Sequence, residues 1–176
     1  MQKIIVSIFV IAITFATNAQ KKVKASPHSK IVQTVGLTDV TVEFHRPGMK
    51  GRTIFGDLIP YGKVWRTGAN QNTKITFSTD VTIGEKPLKA GTYALYTIPN
   101  KETWDVIFYA DATNWGIPKK WDESKVAAKA TATVQQMPMN IETFTITFDD
   151  LKKTSGVLGL LWENVYVGVQ FDVPVN

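Results

Sequence analysis

Apolar and polar residues alternate with period two along much of this chain, and no other feature constrains its fold as strongly. The alternation is clearest in residues 40–44, 75–77, 143–148 and 165–171. Successive side chains of a β-strand point to opposite faces of the sheet, so these stretches predict half-buried strands. The expected fold class is therefore all-β.

Three other runs, residues 93–98, 104–109 and 157–162, are apolar at successive positions and predict strands covered on both faces. Residues 125–135 mix alanines with Val and Thr, and we interpret them as a further strand. Turn-forming residues separate the runs, which gives about eight to ten short strands and little helix. A single-domain antiparallel β-sandwich, or a jelly-roll-like variant of it, fits this pattern better than a parallel α/β fold.

The N-terminal residues 1–19 have the layout of a secretory signal peptide. Lys3 precedes an uncharged apolar run, and the small residues Thr17 and Ala19 follow it. The run is shorter than the roughly 20 residues that a membrane-spanning helix needs. We expect cleavage after Ala19, export to a periplasmic or extracellular space, and no membrane span in the mature chain.

Residues 20–29 are predicted to be a flexible, lysine-rich lead-in, and residues 30–176 a single domain. The chain has no cysteine, so stability must come from a packed core, for which the domain is long enough. The two histidines, His28 and His45, show no close spacing to other metal-ligating residues, and we expect neither a metal site nor a cofactor.

Residues 46–72 interrupt the strand pattern with five of the 12 glycines and all the arginines of the chain. A connection of this length inside a compact domain is commonly a functional loop. We expect the loop to be ordered, with a short helical turn at 54–59 and a short strand at 64–66. Residues 46–74 hold six Lys and Arg residues against a single acid, Asp57, which is a local charge of +5.

The arginines allow two interpretations, because the N–H groups of a guanidinium can donate hydrogen bonds either to an anion or to backbone carbonyls. In the first, the loop forms a pocket for a small anionic or polar ligand, with Gly68 and Ala69 supplying backbone amides. The candidate ligand-binding residues are then Arg46, Arg52, Tyr61, Trp65, Arg66 and Asn70. In the second, each arginine pins the loop by bonding to backbone carbonyls or to Glu43, Asp57 or Asp80.

Several motifs of the loop and the strands after it resemble a known family. The residues are FHRPGMKGRTIFGDLIPYGKVWRTGANQNTKITFSTDV from Phe44, then LKAGTYALYTIP and WDVIF. They resemble the secreted family of unknown function DUF2911, over the chain from about Ser26 to the C-terminus. The resemblance implies an exported, mostly β protein and no established activity, substrate or catalytic residue. Family members often carry Ser-Arg-Pro or Tyr-x-Arg-Pro at positions 44–47, so His45 is a poor candidate for an obligatory ligand.

The tryptophans outside the arginine-rich stretch fall into two groups. Trp104 and Trp162 lie in predicted strands and are expected in the core. Trp115 and Trp121 flank a loop, where they either stack on a carbohydrate or cap one end of the sandwich.

No nucleophile or metal motif identifies a catalytic centre, so the catalytic residues are unknown. A hydrolase or carbohydrate-active enzyme using the same cleft would rely on Asp57 or His45, but a histidine at the end of a strand is more often simply solvated. The pI near 9.3 could indicate nucleic-acid binding, which expected export excludes. We therefore predict a binding or structural module for a small anionic or carbohydrate ligand rather than an enzyme.

Overall fold

The computed structural model describes residues 23–174, so the predicted signal peptide and its cleavage point lie outside the described residues. The described chain consists of nine strands and one 3-10 turn, Glu123–Lys125, and none of its helices is long and apolar enough to cross a membrane. The predicted all-β class is confirmed. The strands are β1 His28–Val35, β2 Thr38–His45, β3 Thr73–Phe77, β4 Val81–Ile83, β5 Lys86–Leu88, β6 Gly91–Pro99, β7 Thr103–Tyr109, β8 Val126–Asp149 and β9 Ser155–Asp172.

The strands follow the order β1-β2-β3-β6-β7-β8-β9-β4-β5, and all neighbours are antiparallel. Strand β8 pairs with β7 in its first part and with β9 in its second, so it passes from one layer to the other. The rings of Phe44 and Phe144 contact each other across the interior at 5.9 Å between centroids. Phe77 and Phe171 do the same at 6.2 Å. The two halves of the sheet thus enclose the core, as predicted for a sandwich.

Strands β8 and β9 are longer than the sequence pattern predicts, because each joins two predicted strands. The pairing of β8 with β9 is irregular around Ile141, which lies opposite Glu163. Residues 136–145 of β8 lie opposite only residues 161–165 of β9, so the extra residues of this bulged region are in β8. Glu163 has a left-handed φ of 54°. The irregular pairing interrupts the alternation of side chains, so each long strand shows the sequence pattern of two strands.

Strands β6 and β7 are covered on both faces, as predicted, whereas Val157 and Leu161 of β9 are partly exposed. On the outer face of β6 and β7, a small second cluster contains Tyr96 and Tyr109, with Val64 and Trp121 packed against it. Trp121 therefore caps this face. Trp104 and Trp162 are buried in the main core, which confirms the prediction for both.

Strand β1 begins at His28, earlier than the predicted domain boundary at residue 30. His28 pairs with His45 at the end of β2. The last two residues of the predicted lead-in are therefore part of the sheet.

Candidate ligand-binding clefts

The connection between β2 and β3, residues 46–72, is held against the sandwich by Trp65. We call it the arginine loop. Trp65 exchanges two backbone hydrogen bonds with Thr97, at 2.7 and 3.0 Å, and its indole N–H donates to the carbonyl of Gly68 at 3.1 Å. The indole is buried and stacks on Trp162, with 5.8 Å between ring centroids. The loop is ordered, as predicted.

Local structure inside the arginine loop is simpler than predicted. Residues 54–59 form a closed turn instead of a helical one, because the N–H of Gly56 donates to the carbonyl of Ile59 at 2.9 Å while that of Ile59 donates to Ile54 at 2.8 Å. The predicted strand at 64–66 is reduced to one bridge between Trp65 and Thr97.

Three non-glycine residues of the loop have left-handed backbone conformations: Lys50 (φ 51°), Thr67 (φ 52°) and Asn70 (φ 57°). The conformation is least favourable for Thr67, which is β-branched and fully buried. Each such residue costs on the order of 1–3 kcal/mol and persists only where its surroundings fix it. The surrounding contacts therefore hold the loop in this conformation, and strain of this kind occurs at binding and active sites.

Arg46 connects the loop to the opposite layer of the sandwich. Its Nε donates to the carbonyl of Phe144 at 3.0 Å and its Nη2 to the Thr145 hydroxyl at 2.8 Å. The side chain is half-buried. Arg46 therefore acts as a long-range clamp between the start of the loop and β8.

Arg52 and Arg66 bond to carbonyls of the arginine loop itself. Arg52 donates from Nε to Met49 at 2.9 Å and from Nη2 to Gly48 at 2.8 Å. Arg66 donates from Nη1 to Asn70 at 3.0 Å. These bonds fix the positions of both guanidinium groups and use only part of their five N–H donors.

None of the three arginines forms an ion pair with a carboxylate in residues 23–174. The ion pairs in that range involve lysines or His28 instead. The arginines therefore bond mainly to backbone carbonyls, as the second interpretation predicted. The carboxylates that it also named, those of Glu43, Asp57 and Asp80, do not pair with them. No described ion pair neutralises these guanidinium groups, although the carboxylate of Glu163 lies beside the loop and accepts the backbone N–H groups of residues 54 and 55.

Arg52 and Arg66 line a cleft of about 410 Å³ in the arginine loop, which we call the basic cleft. Lys50 adds a third cation, and no acidic residue lines it. Glu142 lies just outside, where its carboxylate accepts the backbone N–H of Lys50 at 2.9 Å. The complete lining is Ala25, Ser26, Pro47, Gly48, Lys50, Arg52, Leu58, Ile59, Trp65, Arg66, Gly68, Ala69 and Trp162.

The structure brings together Arg52, Trp65 and Arg66 of the predicted site, and the others lie elsewhere. Arg46 is occupied by its contacts with β8. Asn70 does not line the cleft; its side-chain N–H donates to the carbonyl of Ser26 at 3.3 Å and so ties down the segment before β1. Two further residues of the loop, Tyr61 and Asp57, are exposed and line neither this cleft nor the one described next.

A second cleft of about 290 Å³ lies where the ends of β1 and β2 meet the start of β3 and the connection after β7. We call it the polar cleft. It shares no lining residue with the basic cleft. Its lining is His28, Glu43, Phe44, His45, Gln71, Asn72, Lys74, Thr113, Asn114 and Trp115.

His45 is buried in the wall of the polar cleft, so the prediction of an exposed, solvated histidine is wrong. Only 4% of it is exposed, and its ring contacts the edge of His28 at 5.3 Å between centroids. Burial, and then the charges of Lys24 and His28, lower the pKa of His45 below its ordinary value of 6.5. The imidazole is therefore neutral at neutral pH.

Asn72 is the most unusual side chain of the polar cleft. It is 3% exposed, and neither its amide nitrogen nor its amide oxygen has a hydrogen-bond partner among the described residues. The hydroxyl of Tyr96 donates to the carbonyl of Gly116 at 2.7 Å. Burial raises the pKa of Tyr96, and the nearby Asn72 amide opposes part of that rise without making a hydrogen bond of good geometry. A buried polar group left unpaired costs about 1–3 kcal/mol.

A comparison with models of protein families shows to which family the chain belongs. The family model described as "Protein of unknown function (DUF2911)" matches residues 26–171, most of the chain. The chain belongs to the DUF2911 family. No curated protein and no solved structure matches it. The resemblance seen in the sequence is thereby confirmed.

Sequence reasoning missed the amide groups of this DUF2911 protein. Gln71 and Asn72 directly precede β3, and Asn114 lies in the connection after β7. Their signal is the dense amide run from Asn70 to Asn72, which strand patterning does not explain. Trp115 is 67% exposed, so of the two loop tryptophans only Trp121 is a cap. Within residues 23–174, no group of three or more metal-ligating side chains could hold a metal ion.

Proposed function

We propose that this DUF2911 protein is an exported binding protein that holds a small anionic ligand in the basic cleft. The observation that carries the proposal is that Arg52 and Arg66 line one cleft while neither pairs with a described carboxylate. Their hydrogen bonds to carbonyls orient the guanidinium groups without neutralising their charge. An incoming carboxylate, sulfate or phosphate group supplies the missing counter-charge and accepts the remaining N–H donors.

The walls of the basic cleft support a ligand with an apolar part beside its anionic group. Leu58, Ile59, Trp65 and Trp162 supply apolar surface to the lining. The volume of about 410 Å³ lies within the range of small-molecule sites, which is roughly 300–1,000 Å³. Because hydrogen bonds and packing already order the loop, less conformational entropy remains to be lost on binding.

The test is a calorimetric titration of the mature protein with sulfate, phosphate, acetate and benzoate at low ionic strength. Arg52→Gln is expected to weaken anion binding by about tenfold or more, since a charge-assisted contact is lost. Lys63→Gln is the control: it removes one positive charge from the same loop at an exposed residue outside the cleft, so anion affinity should be retained. Absence of binding by all four anions, or equal binding by the Arg52 variant, would rule the proposal out.

The export component has its own test. Expression of the full chain with its N-terminal segment in a bacterial host should yield a periplasmic or secreted protein that begins at Gln20. Intact-mass measurement of the recovered protein checks this. An unprocessed chain in the cytoplasmic fraction would contradict it without bearing on the cleft.

A further inference from the structure

Asn72 offers an unused donor and an unused acceptor at the polar cleft. The side chain is 3% exposed and unpartnered among the described residues, and both amide atoms have almost no exposed surface, so a ligand in the cleft reaches them only when neighbouring side chains of the cleft wall move. An amide presents N–H donors and a carbonyl acceptor side by side. Two adjacent hydroxyl groups complement that arrangement, because one donates to the oxygen while the other accepts from the nitrogen.

Further polar groups without charge surround this amide. Gln71, Thr113 and Asn114 line the same cleft. The turn that carries the last two is organised by Asp111, whose carboxylate accepts the backbone N–H of Thr113 at 3.1 Å and its hydroxyl at 2.6 Å. Thr113 is therefore held in place before a ligand arrives, while Gln71 is exposed at the same cleft, and these groups favour recognition of a ligand with several hydroxyls.

Trp115 supplies an aromatic surface at the same cleft. It is 67% exposed, and the guanidinium of Arg66 lies 5.9 Å from the centre of its ring. The guanidinium lies over the indole ring, while most of the side chain stays open to solvent. An exposed aromatic ring beside polar groups is suited to pack against the C–H face of a sugar.

The lining of the polar cleft contains one acid, Glu43, and one lysine, Lys74, whereas the charged residues of the basic cleft are all cations. Glu43 pairs with Lys30 at 3.2 Å and lies 3.9 Å from His28, while Lys74 contributes one cation to the lining. His45, buried in the wall, is neutral at neutral pH. A ligand without net charge fits these surroundings best.

We infer that the polar cleft is a second binding site, which takes a neutral saccharide through Asn72 and Trp115. The amide of Asn72 binds a pair of adjacent hydroxyls, and the indole of Trp115 packs on the ring face. This site is distinct from the anion site, since the two linings have no residue in common.

The experiment titrates the mature protein with neutral mono- and disaccharides, namely glucose, galactose, mannose, xylose, cellobiose, mannobiose and chitobiose. Binding is followed by calorimetry and by the NMR signal of the Trp115 indole N–H, assigned through its loss in Trp115→Ala. Asn72→Leu removes the amide at nearly constant volume. It is expected to keep the unfolding temperature, because an unpaired polar group is replaced by an apolar one, and to weaken saccharide binding by about tenfold or more.

Trp115→Ala changes an exposed side chain, so it tests the site even if Asn72→Leu does not fold. The same loss of affinity is expected. Arg52→Gln, which changes only the basic cleft, should bind saccharide as the unaltered protein does. Absence of binding by every saccharide, unchanged affinity in Trp115→Ala, or a Trp115 signal that responds to sulfate instead of sugar would each overturn the inference.

Discussion

The guanidinium of Arg66 lies 5.9 Å from the ring centre of Trp115, and this contact connects the two clefts. Arg66 lines the basic cleft and Trp115 the polar cleft. Gly116 makes the approach feasible, because a Cβ at that position would come within 3.1 Å of Arg66 Nη1. Binding at one cleft should therefore be felt at the other through the position of one side chain.

Arg66→Gln should weaken both sites, to different degrees. Anion affinity should fall by about tenfold or more, because a cation of the lining is removed. Saccharide affinity should fall by a factor of roughly two to five, since a cation–π contact at an exposed site contributes about 0.5–1 kcal/mol. Parallel titrations with sulfate and with the tightest-binding saccharide measure the two effects. Arg52→Gln is the control that loses only the first, and an unchanged Trp115 indole signal in Arg66→Gln would contradict the coupling.

Arg46→Lys should lower the free energy of unfolding by about 1–3 kcal/mol, because a charge-assisted bond to a half-buried partner is lost. Its bonds reach Phe144 and Thr145, 98 and 99 residues away, so they hold two distant parts of the chain together. Arg52→Lys is the matched control: its bonds reach only three and four residues back, and we expect a change below about 1 kcal/mol. Urea unfolding measures both variants. Equal destabilisation would mean that Arg46 is no special clamp.

Gly68→Ala should destabilise the protein by about 1–3 kcal/mol. Gly68 has a φ of 150°, and a Cβ there would lie 3.0 Å from both the carbonyl of His45 and the hydroxyl of Thr73. Gly51→Ala is the control, because Gly51 also has a positive φ, 72°, but no atom within 4 Å of the added carbon. Thermal unfolding should show the larger loss at position 68. A larger loss at position 51 would indicate that conformation, and not the close approach, dominates.

Much of the fold could be predicted because most strands bury every second side chain. The alternation around Val42 and Phe44 is a local sequence pattern that identifies the buried face of β2. The merging of strands in β8 and β9 could not be predicted, since the irregular pairing around Ile141 and Glu163 interrupts the alternation while both strands continue. Regular periodicity carries no information about a residue that departs from it.

The candidate site was predictable only where composition marked it. Clustered arginines identified the loop, and Arg52 and Arg66 share a cleft. The burial of His45 depends on its pairing with His28 in β1 and on the connection that carries Trp115. The isolation of Asn72 depends likewise on neighbours far along the chain. Contacts of this kind are set by the tertiary structure, so a histidine at a strand end and an amide in a loop looked ordinary in the sequence.

His45 should make the protein less stable as the pH falls from about 7 to 5. The unfolded chain takes up a proton near the ordinary pKa of 6.5, while burial keeps the folded imidazole neutral, so stability is lost as the pH falls through that range. The lowered pKa values of Asp80 and Asp111 act only below about pH 4, where the unfolded carboxylates protonate. Urea unfolding at about pH 7, 6 and 5 should show a flatter dependence in His45→Gln. His28→Gln should retain most of the slope, because burial is the main cause of the shift; equal flattening by both variants would assign the effect to the pair.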